Sequence, residues 1–224
     1  MTARADTDAI AGLAAAYGGI GALAAGLSRH DLLAPTRCHG WIVADVLYHQ
    51  LGDAQRALAA FASPVGGPAD RDRLSYWTGF GEEVAGTDPI PGIWAVKRSA
   101  AAFSDGRGAV LIWGDTAPAA VEAARRADPD GFVATQGHVL AVPDFVATLV
   151  TEAVLHHLDM VVALPDAPRP QAPAVAIALE TLDGLLAARG GTRAAGWTDE
   201  EYLLVAAGRE PAPDGYASLL PLIS

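Results

Sequence analysis

Residues 9–27 run nineteen positions without a charge, and only a long apolar helix or a membrane span accommodates such a run. Its make-up separates the two. Alanine and glycine dominate, Gly18, Gly19 and Gly21 stand at its centre, and large apolar side chains are few. Asp6 and Asp8 precede it, where a signal peptide would carry basic residues. The expected structure is a helix of a soluble core, docked closely on its neighbours through small residues, with no membrane partner.

The rest of the composition supports a core of that kind. With 224 residues, 51% apolar and 18% charged, the chain can bury a full interior without a disulfide or a structural metal, and general disorder is excluded. Fifteen basic against 26 acidic residues give a net charge of −11. That balance argues against nucleic-acid phosphates or an anionic membrane face as partners, since both attract clustered basic residues. Cys38 is the sole cysteine, so no internal disulfide forms and a reducing cytoplasm is the expected compartment. Lys97 is the sole lysine beside fourteen arginines, a bias that reflects GC-rich codons more than chemistry.

Helical periodicity dominates the chain. Val43, Val46, Leu47, Gln50, Leu51, Ala54, Leu58 and Phe61 recur at helical spacing and predict a second helix over 41–61. Residues 62–72, with Pro64, Gly66, Gly67 and Pro68, read as an exposed connection. A third helix is expected over 92–103, entered through Asp88-Pro89-Ile90-Pro91. Residues 108–113 are too short to classify by period, and 117–127 read as a further short helix. A small hairpin is expected around Gln136-Gly137, then a strong helix over 143–164 with Pro143 in its first turn. Past Pro165 a helix over 174–189 follows, and Thr198 with Glu201 forms a capping box for a last helix ending near Gly208. The fold class is all-α, a helical bundle with a C-terminal helical extension.

Three polar residues interrupt apolar helix faces. His49 has Asp45 four residues before it and Asp53 four after, and Glu152 and His156 are also four apart. That spacing offsets two side chains by only about 40° around the axis and about 6 Å along it, so both can face one point. Two such ligands and a third from another helix make a three-ligand site with an open position, the arrangement of catalytic zinc. Spacing alone also admits a surface Glu–His pair, and a His49 bonded to Asp45 or Asp53. Cys38 reads as a packed small hydrophobe and His157, about 100° round from His156, as a surface or supporting group. His30, His39 and His138 carry no spacing signal, and Trp77, Trp94 and Trp113 read as core and pocket lining.

The local sequences add a resemblance. The run Cys38-His39-Gly40-Trp41-Ile42-Val43-Ala44-Asp45-Val46-Leu47-Tyr48-His49 resembles the Cys-x-Gly-Trp-x-Val-x-Asp-Val-Leu-x-His signature of the mycothiol-dependent maleylpyruvate isomerase family, a branch of the DinB-like superfamily. Thr151-Glu152-Ala153-Val154-Leu155-His156-His157-Leu158-Asp159 is similar to that family's second motif, Glu-x-x-x-His-x-x-Asp, and Gly208-Arg209 looks like a helix end common further along such proteins. The resemblance implies a DinB-like four-helix bundle over 1–165 and a helical extension over 166–224. It implies a divalent metal, Zn²⁺ first and Ni²⁺ or Fe²⁺ as alternatives, held by His49, Glu152 and His156, with Asp45 and Asp159 orienting the imidazoles. It also implies mycothiol as cosubstrate and a small electrophile as substrate, in thiol S-transfer or thiol-assisted cis–trans isomerisation. Lys97 and Arg98 are candidates for neutralising an acidic substrate, and the protein is expected as a monomer or homodimer. The other reading is a bundle with a structural or vestigial metal site, acting as a binding or dimerisation module.

Three departures from the family pattern stand out. Ile42 occupies a place where a Thr or Ser cap is frequent, and Leu149 one where Arg is frequent. Only 60 residues follow Leu164, where the isomerase proper has a larger closing domain, so a related thiol-dependent reaction is expected over maleylpyruvate isomerisation itself.

Overall fold

The computed structural model describes residues 2–84, 87–103 and 105–223. In chain order it forms α1 (Thr2–Gly26), α2 (Val43–Ala62), α3 (Ser75–Val84), α4 (Ile90–Ala101), α5 (Arg107–Arg126), β1 (Phe132–Thr135), β2 (His138–Ala141), α6 (Val142–Met160), α7 (Ala172–Ala188) and α8 (Asp199–Ala206). Helices α1, α2, α5 and α6 make the four-helix bundle: α2 packs on α5 and α6, and α1 on the same two. Helix α7 covers the outer side of α1 and α6, and α8 packs on α7 and α6. This is the all-α, DinB-like architecture.

Each bundle helix presents the stripe its period demands. Helix α2 buries Val43, Val46, Leu47, Gln50, Leu51, Ala54 and Phe61, the predicted face. Helix α6 is buried on nearly every side between Phe145 and Met160, because the bundle takes one face and α7 another. Small residues let α1 approach its neighbours: Gly19 sits against His157, and Gly21 against Trp113. Tyr17 and Trp113 meet edge to face there, ring centroids 5.2 Å apart. Its apolar window, Ala9–Gly26, is half buried, in contact with α5, α6 and α7.

Several local expectations change. Residues 108–113 and 117–127 belong to one continuous helix, α5, with Pro118 inside it. Pro118 and Gly114, whose carbonyl loses its partner, are both exposed, so water can take the freed acceptor. Helix α3 carried no periodic signal, and Asp72 starts it: its Oδ1 accepts the backbone N–H groups of Leu74 and Ser75 at 2.9 and 2.7 Å. Trp94 is 53% exposed and is not core, whereas Trp77 and Trp113 are buried. The hairpin forms as expected, with Gln136 (φ 47°) and Gly137 (φ 85°) in the left-handed conformation that a two-residue turn requires. The Thr198–Glu201 capping box is also present, its two reciprocal bonds at 3.2 and 2.7 Å.

Candidate metal centre

Two helices supply the three ligand-type side chains. His49 comes from the middle of α2, and Glu152 and His156 from successive turns of α6. Glu152 Oε1 lies 3.2 Å from His49 Nε2 and 3.2 Å from His156 Nε2. The imidazole rings stand edge to face, centroids 4.9 Å apart, and Trp41 packs on the His49 ring at 5.3 Å. All three ligand atoms fall within 4.8 Å of one another.

The other nitrogen of His156 is already committed. Its Nδ1–H donates to Asp159 Oδ2 at 3.0 Å, which leaves Nε2 as the ring atom that faces His49 and Glu152. Asp159 is fully buried and receives two more donors. Cys38 Sγ–H reaches Oδ2 at 3.2 Å, and the Arg209 guanidinium spans both oxygens at 3.2 and 3.1 Å. Gly208 (φ 67°) ends α8 and turns Arg209 inward. A second group of ligand-type atoms, Cys38, His156 and Asp159, is thus tied up in one hydrogen-bond network with a cation on its carboxylate.

The electrostatics follow from this crowding. Burial opposes ionisation of Glu152, but hydrogen bonds from both histidines and their charges outweigh it and hold the carboxyl far below its usual range. Burial likewise opposes the charge on His156; its bonds to Asp159, Cys38 and Glu152 prevail and raise its pKa well above the ordinary value. Asp159 drops to about 2, its burial outweighed by His156 and Arg209. Protons therefore occupy the space among these atoms when no cation does. Two imidazole nitrogens and one ionised carboxylate fit a divalent cation, and the donor set suits zinc-like ions.

Other residues fall differently from expectation. Asp45 does not face His49. Its Oδ2 accepts the backbone N–H of Ile42 at 3.0 Å and Lys97 Nζ at 3.1 Å, the half of a capping box that remains when Ile42 has no side-chain acceptor to offer. Asp53 is the acid beside His49, with Oδ2 3.5 Å from its Nε2; Gln50 Nε2 donates to Asp53 at 3.2 Å and Arg56 Nη1 at 2.6 Å. Burial, then the nearby Glu152 charge, pushes the Asp53 pKa up. Lys97 also donates to the Gly40 carbonyl at 2.8 Å, and Arg98 lies over the Trp94 ring, so neither lines the pocket at the cluster. His157 is a core group, donating to the Pro168 carbonyl at 2.8 Å and fixing the turn after α6. Cys38 is half-buried, with its thiol in the Asp159 network and not merely packed.

A pocket of about 110 Å³ opens beside His49 and Glu152, walled by Asp53, Arg56, Tyr76 and Phe145. A larger apolar cavity of about 490 Å³, around Ile10, Ala124 and Val146, holds none of these groups. Arg56 and Tyr76 escaped the sequence reading because a lone Arg on a helix and a Tyr in a short one carry no spacing signal. Arg209 had one, its place in the Gly-Arg run.

A family model described as the mycothiol maleylpyruvate isomerase N-terminal domain matches residues 13–161. The chain belongs to this family. The match to the mycothiol maleylpyruvate isomerase N-terminal domain takes in all of α2 and α6, hence His49, Glu152, His156 and Asp159; Arg209 lies beyond it. Comparison with curated proteins and with solved structures returned no match.

Proposed function

We propose that the protein is a metal-dependent enzyme that uses mycothiol as cosubstrate, for S-transfer to a small electrophile or for thiol-assisted cis–trans isomerisation of one. The observation that carries this reading is the convergence of His49 Nε2, His156 Nε2 and Glu152 Oε1 from two helices, with His156 Nδ1 already spent on Asp159. His49, Glu152 and His156 would hold the metal, Zn²⁺ by donor chemistry. When bound, such an ion lowers a thiol's pKa from near 8.5, so that a nucleophile is available at neutral pH.

The chain's own residues do the rest. Asp159 fixes the His156 tautomer and ring plane, and Arg209 and Cys38 hold Asp159 in turn. Glu152 brings the negative charge that balances a divalent ion. Trp41 shields one side of the His49 ring from water. The adjoining pocket gives the electrophile its place.

Metal analysis of the purified protein tests the reading. One equivalent of zinc, lost in His49→Ala and in His156→Ala, is expected, together with mass-spectrometric capture or turnover of an electrophile in the presence of mycothiol. A metal-free protein whose melting temperature ignores both substitutions would instead support the non-catalytic binding or dimerisation module.

A further inference from the structure

A groove of about 340 Å³ runs between α1 and α5, and it shares no residue with the pocket at His49 and Glu152. Four of its residues are ones that a helix interior ordinarily avoids: Gly18 and Gly21 on α1, Gly114 and Pro118 on α5. Packing does not call for the glycines. A Cβ on Gly18 or Gly114 would meet no atom within 4 Å, and one on Gly21 would lie 3.5 Å from Trp113 Nε1, an ordinary contact. None of the three has a positive φ. Alanine would serve each helix better, so the space they leave open needs another reason.

Two polar groups of this groove lack partners. Trp113 is 1% exposed, and its indole N–H meets no acceptor among the described residues. Its Nε1 faces the place that the missing side chain of Gly21 leaves open. The Gly114 carbonyl lacks the helical N–H that Pro118 cannot supply. A buried donor without an acceptor is costly, so the groove asks for an acceptor atom beside Gly21 and a hydrogen for the Gly114 carbonyl. One hydroxyl supplies both. Bare glycine backbone on both helices admits the flat face of a ring, with Ala117 and Val121 as apolar walls. Arg125 at the edge is already paired with Glu122 at 3.4 Å, so an uncharged ligand suffices.

We propose that the α1–α5 groove is a binding site for a small uncharged phenol, whose oxygen accepts from Trp113 Nε1–H and whose hydroxyl hydrogen goes to the Gly114 carbonyl. The ring lies on Gly18 and Gly21. Tyr17 meets Trp113 edge to face, centroids 5.2 Å apart, and holds the indole in its place, so the donor is fixed before a ligand arrives. The site uses neither metal nor thiol and stands apart from the enzyme reading above.

The test titrates the full chain with p-cresol, p-xylene and the anion p-toluate, read by calorimetry and by the NMR resonance of the Trp113 indole N–H, assigned through Trp113→Phe. The expected result is a saturable shift of that resonance with p-cresol, which binds about tenfold tighter than either other probe. Gly21→Ala should abolish the shift and raise the melting temperature, so that loss of binding is not loss of fold. Gly18→Leu, which fills the groove from an exposed position, should abolish binding too. Pro118→Ala, which gives the Gly114 carbonyl its N–H back, should weaken p-cresol about threefold. Equal binding of p-xylene, tighter binding of p-toluate, an unmoved indole resonance, or wild-type affinity in Gly21→Ala overturns the proposal. So does a dimer in sedimentation that Gly18→Leu dissociates while p-cresol fails to bind, which would give this face to a second copy of the chain.

Discussion

At the scale of single residues, the centre depends on which atom each neighbour claims. His156 has its two nitrogens divided between Asp159 and the ligand cluster, and its pKa stands well above the ordinary 6.5. A raised pKa means that proton uptake stabilises the metal-free fold fully below about pH 6.5, and that this contribution fades as pH climbs through the raised value. Zinc requires the neutral ring, so protons compete with it already above pH 6.5. Chelator titrations at pH 6, 7 and 8 should show affinity rising at each step, by about tenfold per proton displaced. The melting temperatures of metal-free and zinc-loaded protein should draw apart over the same range. Asp45 makes the opposite case. Because it caps α2 through Ile42 and pairs with Lys97, Asp45→Asn should leave zinc affinity unchanged and cost about 1 kcal/mol of stability, read by denaturant titration. The helical period placed Asp45 and Asp53 equally near His49; only the course of the chain into α2, with an Ile that cannot cap, decides that Asp45 turns away. Glu152 and His156 were legible because one helix carries both, and a single helix fixes its own geometry.

At the scale of elements, punctuation misleads more than pattern does. Helices α2 and α6 follow from the spacing of their apolar residues, and α8 from its capping box. Helix α5 was hidden by Gly108, Gly114 and Pro118, which read as breaks when the surrounding contacts are unknown. The packing of Ala109, Trp113, Ala117, Ala120 and Ala124 into the bundle carries the helix across them. Pro118→Ala should restore the bond to the Gly114 carbonyl and stabilise the protein by roughly 1–3 kcal/mol, visible as a higher melting temperature; a lower one would mean that the proline's constraint on the unfolded chain matters more. The hairpin shows the converse. Its tip was legible from Gln136-Gly137, yet nothing in the sequence indicated that Gln136 would reach Tyr76.

At the scale of the whole molecule, the bundle and the segment behind it meet at one buried carboxylate. Asp159 lies within the residues shared with the family, and Arg209 comes from the extension that packs through α7 and α8. Arg209→Gln would leave that carboxylate with only His156 and Cys38, and breaking a buried pair of this kind costs on the order of 3 kcal/mol. Zinc affinity should fall as well, because the orienting acid is no longer held; a variant with normal affinity and normal stability would reduce the contact to an incidental one. The consequence for the living chain lies in time. Asp159 gathers Cys38 from 121 residues before it and Arg209 from 50 residues after it. On a ribosome that adds residues one by one, His49 and His156 both emerge well before the arginine that holds Asp159. A nascent chain stopped short of residue 209 carries His49, Glu152 and His156 and lacks the fastening, so the cluster is complete only after α8, the last of the α-helices, has been made.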